Sequence, residues 1–267
     1  YGVSLKTWHI SGFIDREISY YEALAAQGVE VQFLTYGDFS DYTVPGIPSD
    51  IKIIPIYEKR RIPRSKSLMF LDSLLIPFRF RGELASSDIV KSNQIWGSWV
   101  AVIAKFIYKK PLLIRAGYDL YKNALLGEKN KLKLLFIWII SRLAYRSADH
   151  ILLPTTEISE FVQLKHKIKP TNMTIYPNWI DTRLFKRKHV SDCKPNSVLY
   201  IGRLSAEKNI TLLINALART NLSLDIIGDG ELKACLCSEA LELPVRVRFL
   251  GRMPNVSLPN VINEYKN

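Results

Sequence analysis

Short apolar runs rich in β-branched and aromatic residues alternate with helix-length stretches along most of this 267-residue chain. That alternation constrains the fold more than any single motif does. Strand and helix in regular succession build a parallel sheet covered on both faces, so the expected class is α/β. Strand-like runs fall at 29–35, 51–57, 87–91, 112–115, 148–154 and 173–176. Helical patterns fall at 15–26, 67–80, 96–108, 131–146 and 158–165, with Pro77 expected to kink or delay the second. No clear strand precedes residue 11, so the first strand is expected to be missing or shortened. Residues 1–177 therefore read as one Rossmann-like domain. From Pro177 to Pro195 the pattern breaks into two prolines and cationic clusters with few core-forming residues, and 178–195 reads as a linker. Alternation then restarts, with strands at 197–201, 223–227 and 245–250 and helices at 206–219, 231–242 and 256–265. Three strands make a thin sheet, so residues 196–267 are expected to form an incomplete second Rossmann-like domain.

Lys and Arg total 37 against 25 Asp and Glu, a net charge of +12 that favours anionic partners. The charge reads as spread along the chain and no nucleic-acid motif accompanies it, so nucleic acid is not an expected partner. Three cysteines, an odd number without CxxC spacing, fit a reduced cytosolic setting. His9, His150, His166 and His189 lack ligand spacing, and no metal site is expected. No secretory signal is expected from the opening Tyr1-Gly2-Val3. The longest apolar run, 132–143, is interrupted by Lys133, Ser141 and Arg142 and is too short and too charged to span a bilayer.

The chemistry concentrates in YIGRLSAEKN, 200–209. Gly202 ends an apolar run, Arg203 and Lys208 follow, and Leu212, Leu213, Ala216 and Leu217 are expected to form the apolar face of the next helix. A glycine at a strand end admits close backbone approach, and a helix N-terminus favours anions. Two cations beside that turn would clamp a diphosphate, and a plain βα turn with solvated charges is the equal alternative. Gly228-Asp229-Gly230 and Gly251 end the next two runs, at strand ends where open α/β sheets bind ligands. GDGELK offers two glycines but no third at the spacing of a dinucleotide fingerprint, which argues against a nicotinamide oxidoreductase.

Four stretches, YPNWIDTRLF (176–185), YIGRLSAEKNITLLINAL (200–217), IIGDGEL (226–232) and VRFLGRMP (247–254), resemble family-four, GT-B-type glycosyltransferases in order and approximate spacing. The resemblance covers 148–267 well and the first 147 residues in outline. It implies two Rossmann-like domains and transfer of a sugar, with retention, from a nucleotide-diphosphate-sugar to an acceptor hydroxyl. It also implies no metal or other cofactor, and a role in cell-envelope, exopolysaccharide or glycolipid synthesis. Arg203 and Lys208 would be the catalytic diphosphate ligands. Gly202, Gly228, Asp229 and Gly230 would line the donor, with Arg252 and Met253 near its base. On the acceptor side the resemblance points to Gly12 and Arg16 at a loop without the family's double glycine, for which an ordinary helix entry is the equal alternative. It also points to Asn93, with Gln94, and to Arg115, Gly117 and Tyr118. Arg115 stands where members often carry a histidine and would hold an anionic group of acceptor or donor. Asn178 would lie in the crossover between domains.

The family's paired glutamates would fall past residue 267, so a fragment or an inactive nucleotide-binding remnant is the alternative. Expected partners are the nucleotide-sugar, a glycan or lipid-linked acceptor, and an anionic membrane surface, with the protein cytoplasmic and peripheral on the inner face of the plasma membrane. For the helix at 131–146 two readings stand, a helix lying on an anionic membrane and a helix buried over most of its surface with its basic ends near lipid, and the second is favoured.

Overall fold

The structure, a computed structural model, describes residues 1–12, 14–127, 130–188 and 193–265. The chain divides into two compact units, Tyr1–Trp179 and Ile180–Asn267. Asn178 and Trp179, the first residues of the expected linker, thus belong to the first unit.

In the first unit the elements run α1 (Leu5–Ile10), α2 (Ile14–Ala25), β1 (Gln32–Thr35), β2 (Lys52–Pro55), α3 (Lys66–Leu74), α4 (Ile76–Arg79), α5 (Arg81–Ser86) and β3 (Val90–Ser92). They continue with α6 (Trp99–Tyr108), β4 (Leu112–Arg115), α7 (Leu120–Gly127), α8 (Lys131–Ser147), β5 (His150–Leu153), α9 (Thr156–His166) and β6 (Met173–Ile175). All strand pairs are parallel: β1 with β2 in one sheet, and β3-β4-β5-β6 in that order in another. Ile114, Ile151, Leu153 and Val162 are fully buried in the core of the larger sheet. Ala101 and Ala104 are the buried positions of α6, a face of small residues. Pro77 lacks an N–H, and the expected single helix at 67–80 is divided at Leu75 into α3 and α4. Side-chain caps from Ser65, Asn130 and Thr155 start α3, α8 and α9. Helices α1, α5 and α7 were not expected. At 6, 6 and 8 residues they are too short to show a helical period.

Two expectations for this unit fail. Helix α8 is not buried over most of its surface: only Ile137, Ser141, Ala144 and Tyr145 are, while Leu132 (79% exposed), Leu135, Phe136, Ile139 and Leu143 face solvent. Its buried side is the narrow face of Ile137, Ser141, Ala144 and Tyr145, and its larger apolar side is left over. Nor is the charge spread evenly. Residues 59–147 hold 18 of the 37 Lys and Arg but 5 of the 25 Asp and Glu, so the remainder of the chain is close to neutral.

The second unit runs β7 (Ser197–Ile201), α10 (Ile210–Leu217), β8 (Ser223–Ile227), α11 (Lys233–Glu242), β9 (Val247–Gly251) and α12 (Leu258–Ile262). Its sheet is parallel in the order β7-β8-β9. Asp225 is buried at the centre of β8, where Arg248 Nε donates to it at 2.6 Å and the Arg248 Nη2 and Tyr265 hydroxyl groups also donate. The helix after β7 begins at Ile210, not at 206. Residues Ala206–Lys208 make one 3-10 turn, and Asn209 then takes a left-handed conformation (φ +46°) that resets the helix axis. The buried face is accordingly Ile210, Ile214 and Leu217. Leu212 and Ala216, expected on the apolar face, are exposed, and Leu213 is half-buried.

Candidate functional site

In the second unit the parallel order brings the carboxyl ends of all three strands to one edge of the sheet. Backbone bonds stitch the turns there together. Gly202 N donates to Ile227 O at 3.0 Å, Leu204 N to Asp229 O at 3.0 Å, and Gly228 N to Gly251 O at 2.8 Å. A Cβ at Gly228 would stand 1.8 Å from Gly202 O, and one at Gly230 2.3 Å from Leu204 O. Both glycines are thus required by the chain's own turns, which abut. At Gly202 a Cβ would meet the Tyr200 hydroxyl at 2.7 Å, and that hydroxyl donates to Arg203 O at 3.1 Å. Asp229 turns inward on its own loop, accepting from Gly230 N at 2.9 Å with Lys233 Nζ 4.0 Å away. Arg203, Lys208 and Arg252 are exposed on the turns leaving β7 and β9, and Met253 is half-buried beside Arg252. The arrangement presents glycine-lined backbone with cations at its rim, which suits a phosphorylated ligand.

In the first unit a polar and aromatic cluster forms where β3, β4 and β6 end. Arg115, the last residue of β4, is 6% exposed. Its Nη1 donates to buried Glu17 on α2 at 3.2 Å and its Nη2 to Asn178 Oδ1 at 3.0 Å. The guanidinium lies 4.1 Å from the Trp179 ring centroid. Trp179 Nε1 donates to Arg16 O at 2.8 Å, and its ring stacks on Tyr20 at 4.8 Å. Arg16 Nη2 also reaches Glu17, at 2.8 Å. Beside them Lys91 Nζ donates to Asn93 Oδ1 at 2.6 Å and to the Tyr21 hydroxyl at 2.8 Å, which also accepts from Asn93 Nδ2 at 2.7 Å. Burial, then the neighbouring Arg115 charge, holds Lys91 down at about 7, against the partial support of Glu17. Burial likewise pushes the Tyr21 phenol well up.

Of the expected acceptor-side residues, Arg16, Asn93 and Arg115 come together here. Gly117 borders the cluster, its Cβ position 3.8 Å from Asn178 Oδ1. Tyr118 is exposed next to it, on a loop fixed by buried Asp119, which accepts from Lys122 N at 2.6 Å and the Tyr145 hydroxyl at 2.9 Å. Gly12 (φ +71°) closes α1 with nothing within 4 Å of its Cβ direction. Arg115 is not an unmatched cation: Glu17 already balances it, so an anion there would compete with a buried carboxylate. Glu17, Tyr20, Tyr21, Lys91 and Trp179 were not singled out from the sequence. A lysine ending the strand-like run 87–91 was the one available signal for Lys91. Among the described residues no group of three or more His, Cys, Asp or Glu is placed to hold a metal ion.

Comparison with known proteins adds independent findings. A family model described as Glycosyltransferase Family 4 matches residues 19–184, and one described as Glycosyl transferases group 1 matches 181–266. From Campylobacter jejuni, an N-acetylgalactosamine-N,N'-diacetylbacillosaminyl-diphospho-undecaprenol 4-alpha-N-acetylgalactosaminyltransferase is 31% identical over 58% of this chain and 43% of its own length. A second Campylobacter jejuni enzyme, an alpha-1,4-N-acetyl-D-galactosaminyltransferase acting on a diphospho-undecaprenol-linked glycan, is 39% identical over 24% of this chain and 19% of its own. This chain therefore spans less than half the length of the curated relatives it matches. The Anabaena protein HepE, crystallised with UDP, aligns with a TM-score of 0.62 at 19% identity, over 94% of this chain and 67% of its own.

Proposed function

The chain belongs to glycosyltransferase family 4 and has the α/β, Rossmann-like sheets of GT-B-type members, and on that premise we propose that it transfers a sugar from a nucleotide-diphosphate-sugar to an acceptor hydroxyl with retention. The observation that carries this reading is the stitched edge of the second unit, where Gly202, Gly228 and Gly251 abut and Arg203, Lys208 and Arg252 are exposed. In the reaction the bond from the anomeric carbon to the diphosphate oxygen breaks. A bond to the acceptor oxygen forms on the same face of the sugar, and the acceptor proton is released. Charge grows on the departing diphosphate, and Arg203 and Lys208 offset it without a metal ion. Asp229 and the glycines shape the loop along the donor, and Arg252 and Met253 lie toward its base.

The acceptor belongs to the first unit, at Asn93, Gly117 and Tyr118, with Gly12 and Arg16 at its margin. Arg115 holds Asn178 and Trp179 in place beside that surface. Both Campylobacter relatives act on glycans carried by diphospho-undecaprenol. That favours a lipid-linked or envelope glycan as the acceptor here, met at the cytoplasmic face of a membrane.

Calorimetric titration with UDP, GDP and CDP tests the donor half. At least one should bind saturably, and Arg203→Ala and Lys208→Ala should each weaken it about 10-fold, as expected for loss of one charged hydrogen bond. Failure of all three to bind, or unchanged affinity in both variants, would refute the donor assignment.

A further inference from the structure

Lys91 on β3, Asn93 just beyond it and Tyr21 on α2 close a ring of three contacts. Lys91 Nζ lies 2.6 Å from Asn93 Oδ1 and 2.8 Å from the Tyr21 hydroxyl, and Asn93 Nδ2 lies 2.7 Å from that same hydroxyl. Burial keeps the phenol protonated, and its one proton needs an acceptor. Among the described residues the hydrogen-bonding neighbours of that hydroxyl are Lys91 Nζ and Asn93 Nδ2. An amide nitrogen does not accept, and neither does an ammonium, but a neutral amine has one lone pair. With Lys91 neutral the ring therefore closes in one sense: Asn93 Nδ2 donates to the phenol oxygen, the phenol donates to Nζ, and Nζ donates to Asn93 Oδ1. With Lys91 charged the phenol proton is left without an acceptor on a residue only 6% exposed, which disfavours the closed ring. Turning the amide over does not rescue the charged form, since Nδ2 would then face the ammonium.

The groups around Lys91 decide which form is present. From α2 it faces Glu17, Tyr20 and Tyr21, and from β4 it faces Arg115. The Tyr20 and Tyr21 ring centroids, 5.1 and 4.7 Å from Nζ, favour the ammonium. Glu17 favours it too, but Arg16 at 2.8 Å and Arg115 at 3.2 Å already occupy its two oxygens. Burial and the Arg115 charge prevail, so the lysine changes form near neutrality. The closed ring spends one of the two Nδ2 protons of Asn93 and one of the two Oδ1 lone pairs. Half-buried Asn93 is left with one donor and one acceptor in a fixed orientation. A sugar hydroxyl, which both donates and accepts, matches that pair.

We propose that Lys91, as a neutral amine, is a positioning residue for the acceptor: it closes the ring with Tyr21 that orients the Asn93 amide for a hydroxyl of a glycan. The proposal deepens the transferase reading and rests on it for the glycan, whereas the ring itself is independent of it.

Nuclear magnetic resonance of the protein labelled at lysine Cε and asparagine Nδ2 tests it. The Lys91 carbon should titrate with a midpoint at about pH 7, and the Asn93 amide signals should move with the same midpoint. In Lys91→Met the Asn93 signals should lose that step. A lysine that only fills space would give no step in the wild type either, so the result does not hang on the variant folding. Methyl glycosides of galactose, glucose, N-acetylgalactosamine and N-acetylglucosamine serve as acceptor probes. At least one should perturb the Asn93 signals, and bind about 10-fold more weakly at pH 6 than at pH 8, the ratio of neutral lysine at those two values. In Lys91→Met its affinity should be the same at both. Asn93 signals indifferent to pH would overturn the proposal. So would a glycoside affinity in the wild type that is equal at pH 6 and pH 8, or failure of all four glycosides to perturb Asn93. Titration with UDP, GDP and CDP on the same samples reads the donor half separately, so failure of the ring and failure of the transferase assignment are distinguishable.

Discussion

Lys91 carries an ammonium into a site where burial and Arg115 both disfavour its charge, holding it at about 7. In the unfolded chain it would titrate near the ordinary lysine value. The unfolded state therefore binds more protons between these limits, and stability rises with pH across the window from about 7 to about 10.5. Below the window the full cost of burying the cation is present, and above it the cost is gone. Lys91→Met leaves Tyr21 and Asn93 bonded to each other, and it should raise the melting temperature more at pH 6 than at pH 10. A melting-temperature gain that is the same at both pH values would show that Lys91 is not held neutral by its surroundings. Sequence reading located Arg115, Asn93 and Asn178 but not Glu17, Tyr21 and Lys91, which meet them. Arg115 and Glu17 pair across 98 positions, and only the packing of α2 over the ends of β3 and β4 makes them neighbours. Trp179 was legible as part of a motif, yet its stacking on Tyr20 and its contact with Arg115 depend on where the chain goes after β6.

At the scale of elements, the alternation of strand and helix was legible because burial on both faces of a parallel sheet leaves continuous apolar runs. Which side of a helix is covered was not. Periodicity in α8 registers apolar residues on both sides, and only the sheet decides that Ile137 and Ala144 are inside and Leu132 and Leu143 outside. The start of α10 was misread for a different reason: a left-handed Asn209 divides a stretch that the pattern alone joins to Ala206. The glycine turns show how far a motif reading reaches. Glycine was expected at Gly202, Gly228 and Gly251, but the close contact at Gly228 is with Gly202 O, a neighbouring turn. Gly228→Ala forces that overlap as well as a φ of +150°, whereas at Gly251 (φ +74°) nothing lies within 4 Å of the Cβ direction. Denaturant unfolding should therefore find Gly228→Ala costlier, at about 3 kcal/mol, than Gly251→Ala at about 1 kcal/mol. Equal costs would mean that the β7 and β8 turns do not abut as described. Asp225 makes a comparable prediction. Asp225→Asn removes the buried charge that the half-exposed Arg248 and the Tyr265 hydroxyl meet and should lower stability by the same measurement. A loss below about 0.5 kcal/mol, the usual surface level, would show that the pair does not hold β8 to β9.

For the whole molecule, two units with parallel sheets carry different chemistry: a glycine-lined, cation-rimmed strand edge in one, a polar and aromatic cluster with a basic, apolar helical flank in the other. The proposed role of the first of these is to offset charge on a leaving diphosphate. Its most direct test is the rate of nucleoside diphosphate release from a bound nucleotide-sugar in the presence of a lipid-linked glycan acceptor, with kcat and KM measured separately. If Arg203 and Lys208 act as charge grows, Arg203→Ala and Lys208→Ala should each lower kcat about 100-fold, with KM changing by less than about 10-fold. An unchanged kcat in both variants would show that neither side chain offsets that charge.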